Sequence, residues 1–227
     1  MSIQIDWPSH FDSIRCIHFL PNEDRLPRLE TELKRVGIFQ SPVFSYKYTY
    51  KTIFDSYIRS KVRITCPTFN NFNRQDLVTN LLLAYYQIFK EAIGLKQKKI
   101  AVLEDDVVFT DDLDLLNESM KAMPDDWDYI HFDKLLNRTD KYRLAQSKPV
   151  NKYYNTYPGG YWGTCFTGFS TKAMELFCSL TENEFWPADC TLENRKPDTG
   201  ISLKRYVPIN QLVHQFGLDD HYTKLYF

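Results

Sequence analysis

The stretch Lys99-Ile100-Ala101-Val102-Leu103-Glu104-Asp105-Asp106-Val107-Val108-Phe109 constrains the fold of this chain more than any other. An apolar run stops at three adjacent carboxylates, and a second apolar run follows. Ile, Val and Leu in unbroken succession read as a strand buried on both faces. Three acids at the end of such a strand repel one another and raise one another's pKa unless a cation lies close by. A divalent ion at the edge of a sheet is the economical explanation. Oxygen-rich sites suit Mg²⁺ or Mn²⁺ rather than Zn²⁺, and these ions commonly hold substrate phosphates. The plain alternative is a strand that runs into a solvated acidic turn.

The flanking segments predict strands alternating with helices. Ile14-Arg15-Cys16-Ile17-His18-Phe19-Leu20 reads as a first strand, closed by the turn residues Pro21-Asn22-Glu23-Asp24-Arg25. A helix over 26–36 follows, with Leu26, Leu29, Leu33 and Val36 at helical spacing and Gly37 placed to stop it. Residues 41–75 are aromatic and basic with little period, and read as an irregular or partly helical insertion. Asp76 is a candidate cap for a helix over 77–93, with Leu77, Leu81, Ala84, Tyr85, Ile88 and Ala92 on one face and Gly94 at its end. Asp112 or Asp114 opens a helix that Pro124 ends. Residues 127–132 read as a strand and 134–157 as a polar, basic loop. The Gly-rich, aromatic segment 159–169 reads as a strand with close backbone approach. Ser170 caps a helix over 171–180, and Val207 and Val213 fall in short strands. The whole is expected to be one α/β domain over 1–227 with a mostly parallel sheet. Ligands gather at the carboxyl ends of such strands, where Glu104, Asp105 and Asp106 stand.

Composition narrows the function. With 43% apolar and 25% charged residues the chain is ordinary for a globular protein, and its 15% aromatics are high. A formal net charge of −1 gives no global attraction to nucleic acid, so no nucleic-acid partner is expected. Basic residues cluster at 46–63, among tyrosines, and at 134–152; these patches suit a phosphate-bearing substrate or a peripheral membrane contact. Five cysteines without a CxxC pair argue against a disulfide framework or a structural zinc site and for a reducing compartment. The N-terminus has no secretory pattern and no run is long enough to span a membrane, so a cytoplasmic protein, peripheral to the inner membrane at most, is expected.

Leu103-Glu104-Asp105-Asp106-Val107 resembles the LEDD-type motif of glycosyltransferase family 25, which includes lipooligosaccharide and collagen galactosyltransferases. The segments around it resemble the family in order. They are Cys16-Ile17-His18-Phe19-Leu20 with Asp24-Arg25, the helix before the acids, Met123-Pro124-Asp125-Asp126-Trp127-Asp128, and 160–169 with Thr171-Lys172-Ala173. The family's Ser-His pair before the acidic strand is missing; the chain reads Asn80-Leu81-Leu82-Leu83-Ala84-Tyr85-Tyr86 there.

The resemblance implies a GT-A-like nucleotide-sugar-binding fold. It also implies a metal-dependent, inverting transfer of a hexose such as galactose from a UDP-sugar to a glycan acceptor, for instance a lipopolysaccharide or capsule intermediate. Mn²⁺ or Mg²⁺ would be the cofactor, with Asp106 as first ligand and His214 as second. Glu104 would sit close to the donor ribose or sugar, Asp105 at the sugar or a metal-bound water, and Arg25 at the uracil or phosphate. Asp189, in Trp186-Pro187-Ala188-Asp189, would be the general base that an inverting transfer needs. Asp125, Asp126 and Asp128 are alternative bases. His18 and His131, inside apolar strands, are expected in the core. Two other classes compete: a metal-dependent nuclease or phosphohydrolase, and a non-catalytic carbohydrate-binding relative of the transferases.

Overall fold

The computed structural model describes residues 5–18, 24–38, 44–47, 72–133, 147–156, 165–183, 188–192 and 202–216; for 44–47, 72–80, 183 and 189–190 it describes the backbone alone. Its strands are β1 (Ser13–His18), β2 (Phe44–Lys47), β3 (Lys99–Glu104), β4 (Val107–Phe109), β5 (Tyr129–His131), β6 (Tyr154–Thr156), β7 (Phe166–Ser170), β8 (Arg205–Pro208) and β9 (Val213–Gln215). Its helices are α1 (Arg25–Arg35), α2 (Phe72–Gly94), α3 (Leu113–Lys121), α4 (Thr171–Asn183) and the single turn α5 (Ala188–Thr191).

β3 lies inside the sheet because it offers nothing polar to either face: Ile100, Ala101, Val102 and Leu103 are all fully buried. Side chains alternate along a strand, so the four divide between two cores. Ala101 and Leu103 join Trp7, Phe11, Leu29 and Leu33 of α1, Leu116 of α3, Phe132 and Phe166. Ile100 and Val102 join Ile88 and Phe89 of α2, Tyr129, Phe169 and Phe177 of α4. α1 and α2 therefore cover opposite faces. The sheet order is β2-β1-β3-β7-β5-β8-β6, with β4 and β9 paired separately. From β1 the chain crosses over α1 to β2 on one side, then returns over α2 to β3 on the other. The order reverses between β1 and β3, a switch point of the kind beyond which open α/β sheets bind ligands at the carboxyl ends of their strands.

The sheet is mostly parallel in direction but mixed, with five of its seven strands running one way and β7 and β6 reversed. β1 runs parallel to β2 and β3, and β5 to β8. β7 lies antiparallel between β3 and β5, and β6 antiparallel to β8. β7 follows a long connection from β5 and enters the sheet reversed, which an alternating pattern of elements does not reveal.

Several expected boundaries hold. Gly37 ends α1 with φ of 78°, a conformation that favours glycine. Asp112 caps α3 by accepting from the Leu115 amide at 2.9 Å. The Ser170 hydroxyl accepts from the Ala173 amide at 3.3 Å at the start of α4. α2 begins at Phe72, so Asp76 lies within the helix rather than at its cap. Most of the 41–75 insertion, both basic patches for the greater part, and 157–164 lie outside the described residues. β2 arises within the expected irregular or partly helical insertion, and β6 where a loop was expected.

Gly168 is where backbone approach is closest. A Cβ there would lie 3.2 Å from the Trp127 ring and 3.3 Å from Phe11. Both rings are buried, so neither can swing aside freely. Gly168→Ala is expected to cost about 1–3 kcal/mol by overpacking, read as a lower midpoint in urea with an unchanged slope.

Candidate active site

The three acids stand where β3 ends, at the switch point beside β1. Ile17 is in register with Glu104, so the next residues, His18 and Asp105, meet. His18 Nδ1 lies 2.8 Å from Asp105 Oδ2, and Arg25 Nη1 donates to Asp105 Oδ1 at 2.9 Å. Asp105 is buried and His18 fully so. His18 Nε2 is buried without a hydrogen-bond partner, so the ring's proton belongs on Nδ1, donated to Asp105. The cation that three adjacent acids require is thus already present in the protein, as Arg25 at the first residue of α1.

Asp106 is held differently. Arg25 Nη1 is 3.5 Å from its Oδ2, and its Oδ1 is buried with no hydrogen-bond partner. Burial pushes its carboxyl up to about 6; Arg25 acts against that shift and Asp105 adds to it. The backbone around it is pinned. Arg28 donates from Nη2 to the Asp105 carbonyl at 2.7 Å and from Nη1 to the Val107 carbonyl at 3.1 Å. The Phe216 amide donates to the Asp106 carbonyl at 2.7 Å.

That last bond extends the β4–β9 ladder by one rung. Val107 pairs with Gln215 and Val108 with His214, so Asp106 stands opposite Phe216. Val107, Phe109 and Val213 face the core. Asp106 and His214 therefore share the other face as diagonal neighbours, a spacing that side chains of their length can bridge.

Glu104 turns to the α2 face, where the Tyr85 hydroxyl donates to it at 3.3 Å. A further acid escaped sequence analysis. Asp133, just past β5, is buried and accepts from the Cys165 thiol at 3.1 Å. Burial raises its carboxyl above the usual range, opposed by His131, the Cys165 bond and His214. Cys165 also accepts from the Glu104 amide through its carbonyl, at 3.0 Å. One residue thus ties the ends of β3 and β5 together. The pattern that marks Glu104, an acid directly after an apolar strand, recurs in Phe132-Asp133 and could have found it.

The alternative bases lie elsewhere. Asp128 precedes β5 at the amino end of the strands, accepting from Ser170 Oγ, the Lys204 amide and Lys172 Nζ. Asp126, nearby, is taken by Lys204 and Tyr206. Both are fastenings at the opposite edge of the sheet from Glu104. Asp189 falls in α5; its side chain lies outside the described residues. His131 is fully buried, as expected.

Among the described residues no three His, Cys, Asp or Glu side chains gather as a complete metal cage. Mg²⁺ and related ions need less: one or two carboxylates, with substrate phosphates and waters completing the shell. The buried, unpartnered Oδ1 of Asp106, with His214 on the same face, fits a partial site of that kind. Asp105 does not, since both its oxygens are engaged. No family model matches the chain, and no curated protein matches it either.

Proposed function

We propose that this chain is a metal-dependent glycosyltransferase of GT-A-like fold. It would transfer a hexose, galactose in the reading implied by its motif, from a UDP-sugar to a glycan such as a lipopolysaccharide or capsule intermediate, with inversion. The observation that carries this reading is the free carboxylate oxygen of Asp106 at the carboxyl end of β3, where the strand order reverses. A sugar nucleotide brings a diphosphate to such a switch point. Asp106 and His214 would hold Mn²⁺ or Mg²⁺, which supplies charge neutralisation to the diphosphate as the glycosidic bond breaks. Arg25 would face the phosphates and Glu104 the ribose or sugar. Asp189 would accept the proton of the acceptor hydroxyl as its oxygen bonds to the anomeric carbon and UDP departs. Among the described residues no helix is long and apolar enough to cross a membrane. Cytoplasmic action on a membrane-borne acceptor fits this reading.

Thermal-shift measurements with a panel of nucleotide sugars, with and without Mn²⁺, test it. A ligand that binds only the native state at a hundred times its Kd adds about 2.7 kcal/mol, roughly 5–10 °C for a chain of this length. One UDP-sugar should raise Tm only with Mn²⁺ present, and Asp106→Ala should abolish the rise. A flat response to the whole panel overturns the reading.

A further inference from the structure

The three acids do not share one role, and the hydrogen bonds divide them. Arg25 Nη1 lies between two carboxylates, 2.9 Å from Asp105 Oδ1 and 3.5 Å from Asp106 Oδ2. The first is a hydrogen bond and the second only a charge contact. Asp105 keeps the guanidinium because its orientation is fixed: His18, fully buried on β1, holds the other oxygen at 2.8 Å. Asp106 in consequence keeps an oxygen with no partner.

We infer that Asp105 is a positioning residue that holds Arg25 away from Asp106 and so keeps Asp106 open to a divalent cation. The inference rests on the transferase reading for the identity of the cation's partner, a nucleotide diphosphate, but not for the division of labour itself. It assigns Asp105 neither to the sugar nor to a metal-bound water. An arginine left beside one carboxylate closes on it with both nitrogens, the strongest pairing the two groups form. A metal ion arriving at Asp106 would then have to displace it.

Asp105→Asn makes the distinction. The amide oxygen still accepts from His18 Nδ1, while the amide NH₂ turns Arg25 away toward Asp106. Mn²⁺ alone is the probe, its free ion counted by electron paramagnetic resonance. Asp105→Asn should weaken Mn²⁺ binding about 10- to 100-fold, the range for outer partners of metal ligands. Adding Arg25→Gln in the same chain should restore it to within about threefold of Arg25→Gln alone. A double variant as weak as the single one overturns the inference, since a direct ligand or a purely structural residue would behave that way. Arg25→Gln alone, at a partly exposed site, should bind Mn²⁺ at least as tightly as the wild type; a tenfold loss there also overturns it.

A metal-free measurement separates this from the transferase reading. In EDTA, the drop in Tm on Arg25→Gln should depend on Asp106 more strongly in the Asp105→Asn background than in the wild-type background, where Arg25 makes only the 3.5 Å contact with Asp106. That difference supports the positioning role even if no nucleotide sugar binds, and its absence overturns it even if one does.

Discussion

Asp106→Asn is expected to make the protein more stable and inactive at once. Asp106 is mostly buried, with one oxygen unpartnered. Burial, working against Arg25, raises its carboxyl from 3.8 to about 6. Between those values the unfolded chain has released the proton and the folded chain still holds it, so stability falls as pH rises across that window. The destabilisation is absent below about pH 4 and complete above about 6. Two units correspond to about 3 kcal/mol as an upper bound. An Asn amide must still fit the same place, so a net gain of about half that is expected, some 3–6 °C in Tm at pH 7. Melting curves in EDTA at pH 4 and pH 7 check it: the variant's advantage should appear at pH 7 and vanish at pH 4. A variant less stable than wild type at both would show that Asp106 is a structural residue. If the proposed function holds, transfer should fall by about 100- to 1,000-fold, the scale for losing one group that stabilises developing charge. A residue that costs stability in the free protein at the carboxyl end of a central strand is what a site built for a ligand looks like.

The sequence made the central strand legible for the same reason that it is central. An unbroken apolar run needs cover on both faces, and Ile100 to Leu103 obtain it from two separate cores. Helix caps and the glycine stop at residue 37 were legible because they are local. Register and direction were not. Nothing near Phe166 states that β7 enters reversed between β3 and β5, and nothing near His214 states that it faces the side of Asp106. Those facts follow from pairings between segments far apart in sequence, roughly 40 to 110 residues. Three adjacent acids at Glu104-Asp105-Asp106 require a cation, and Arg25, eighty positions away in sequence, is a cation in place. His18 illustrates the same limit. Its apolar neighbours mark it as buried, and it is, yet burial places it against Asp105 and makes it part of the site.

Arg28 is where the second large effect is expected, because one side chain there fixes the turn that carries Asp106. Its guanidinium donates to the carbonyls of Asp105 and Val107, the residues on either side of Asp106, and stacks 4.4 Å from the centre of the Phe216 ring. Phe216 in turn donates its amide to the Asp106 carbonyl. α1, the β3–β4 turn and β9 meet in this one group. Arg28→Met keeps the apolar stem and removes two charge-assisted hydrogen bonds, each worth about 1.5–3 kcal/mol when buried. Part of the site is open to water, so a total loss of about 2–4 kcal/mol is expected. On the proposed transferase reading, activity should fall about 10- to 100-fold, since a displaced turn would move the Asp106 carboxylate without touching its chemistry. Arg28→Lys should rescue little. A single ammonium cannot reach two carbonyls two residues apart as a planar fork does, nor stack on the ring in the same way. Urea unfolding and kcat/KM for wild type, Arg28→Met and Arg28→Lys check this together. Near-wild-type values for the lysine variant would show that charge alone matters at this position and that the turn holds its shape without the fork.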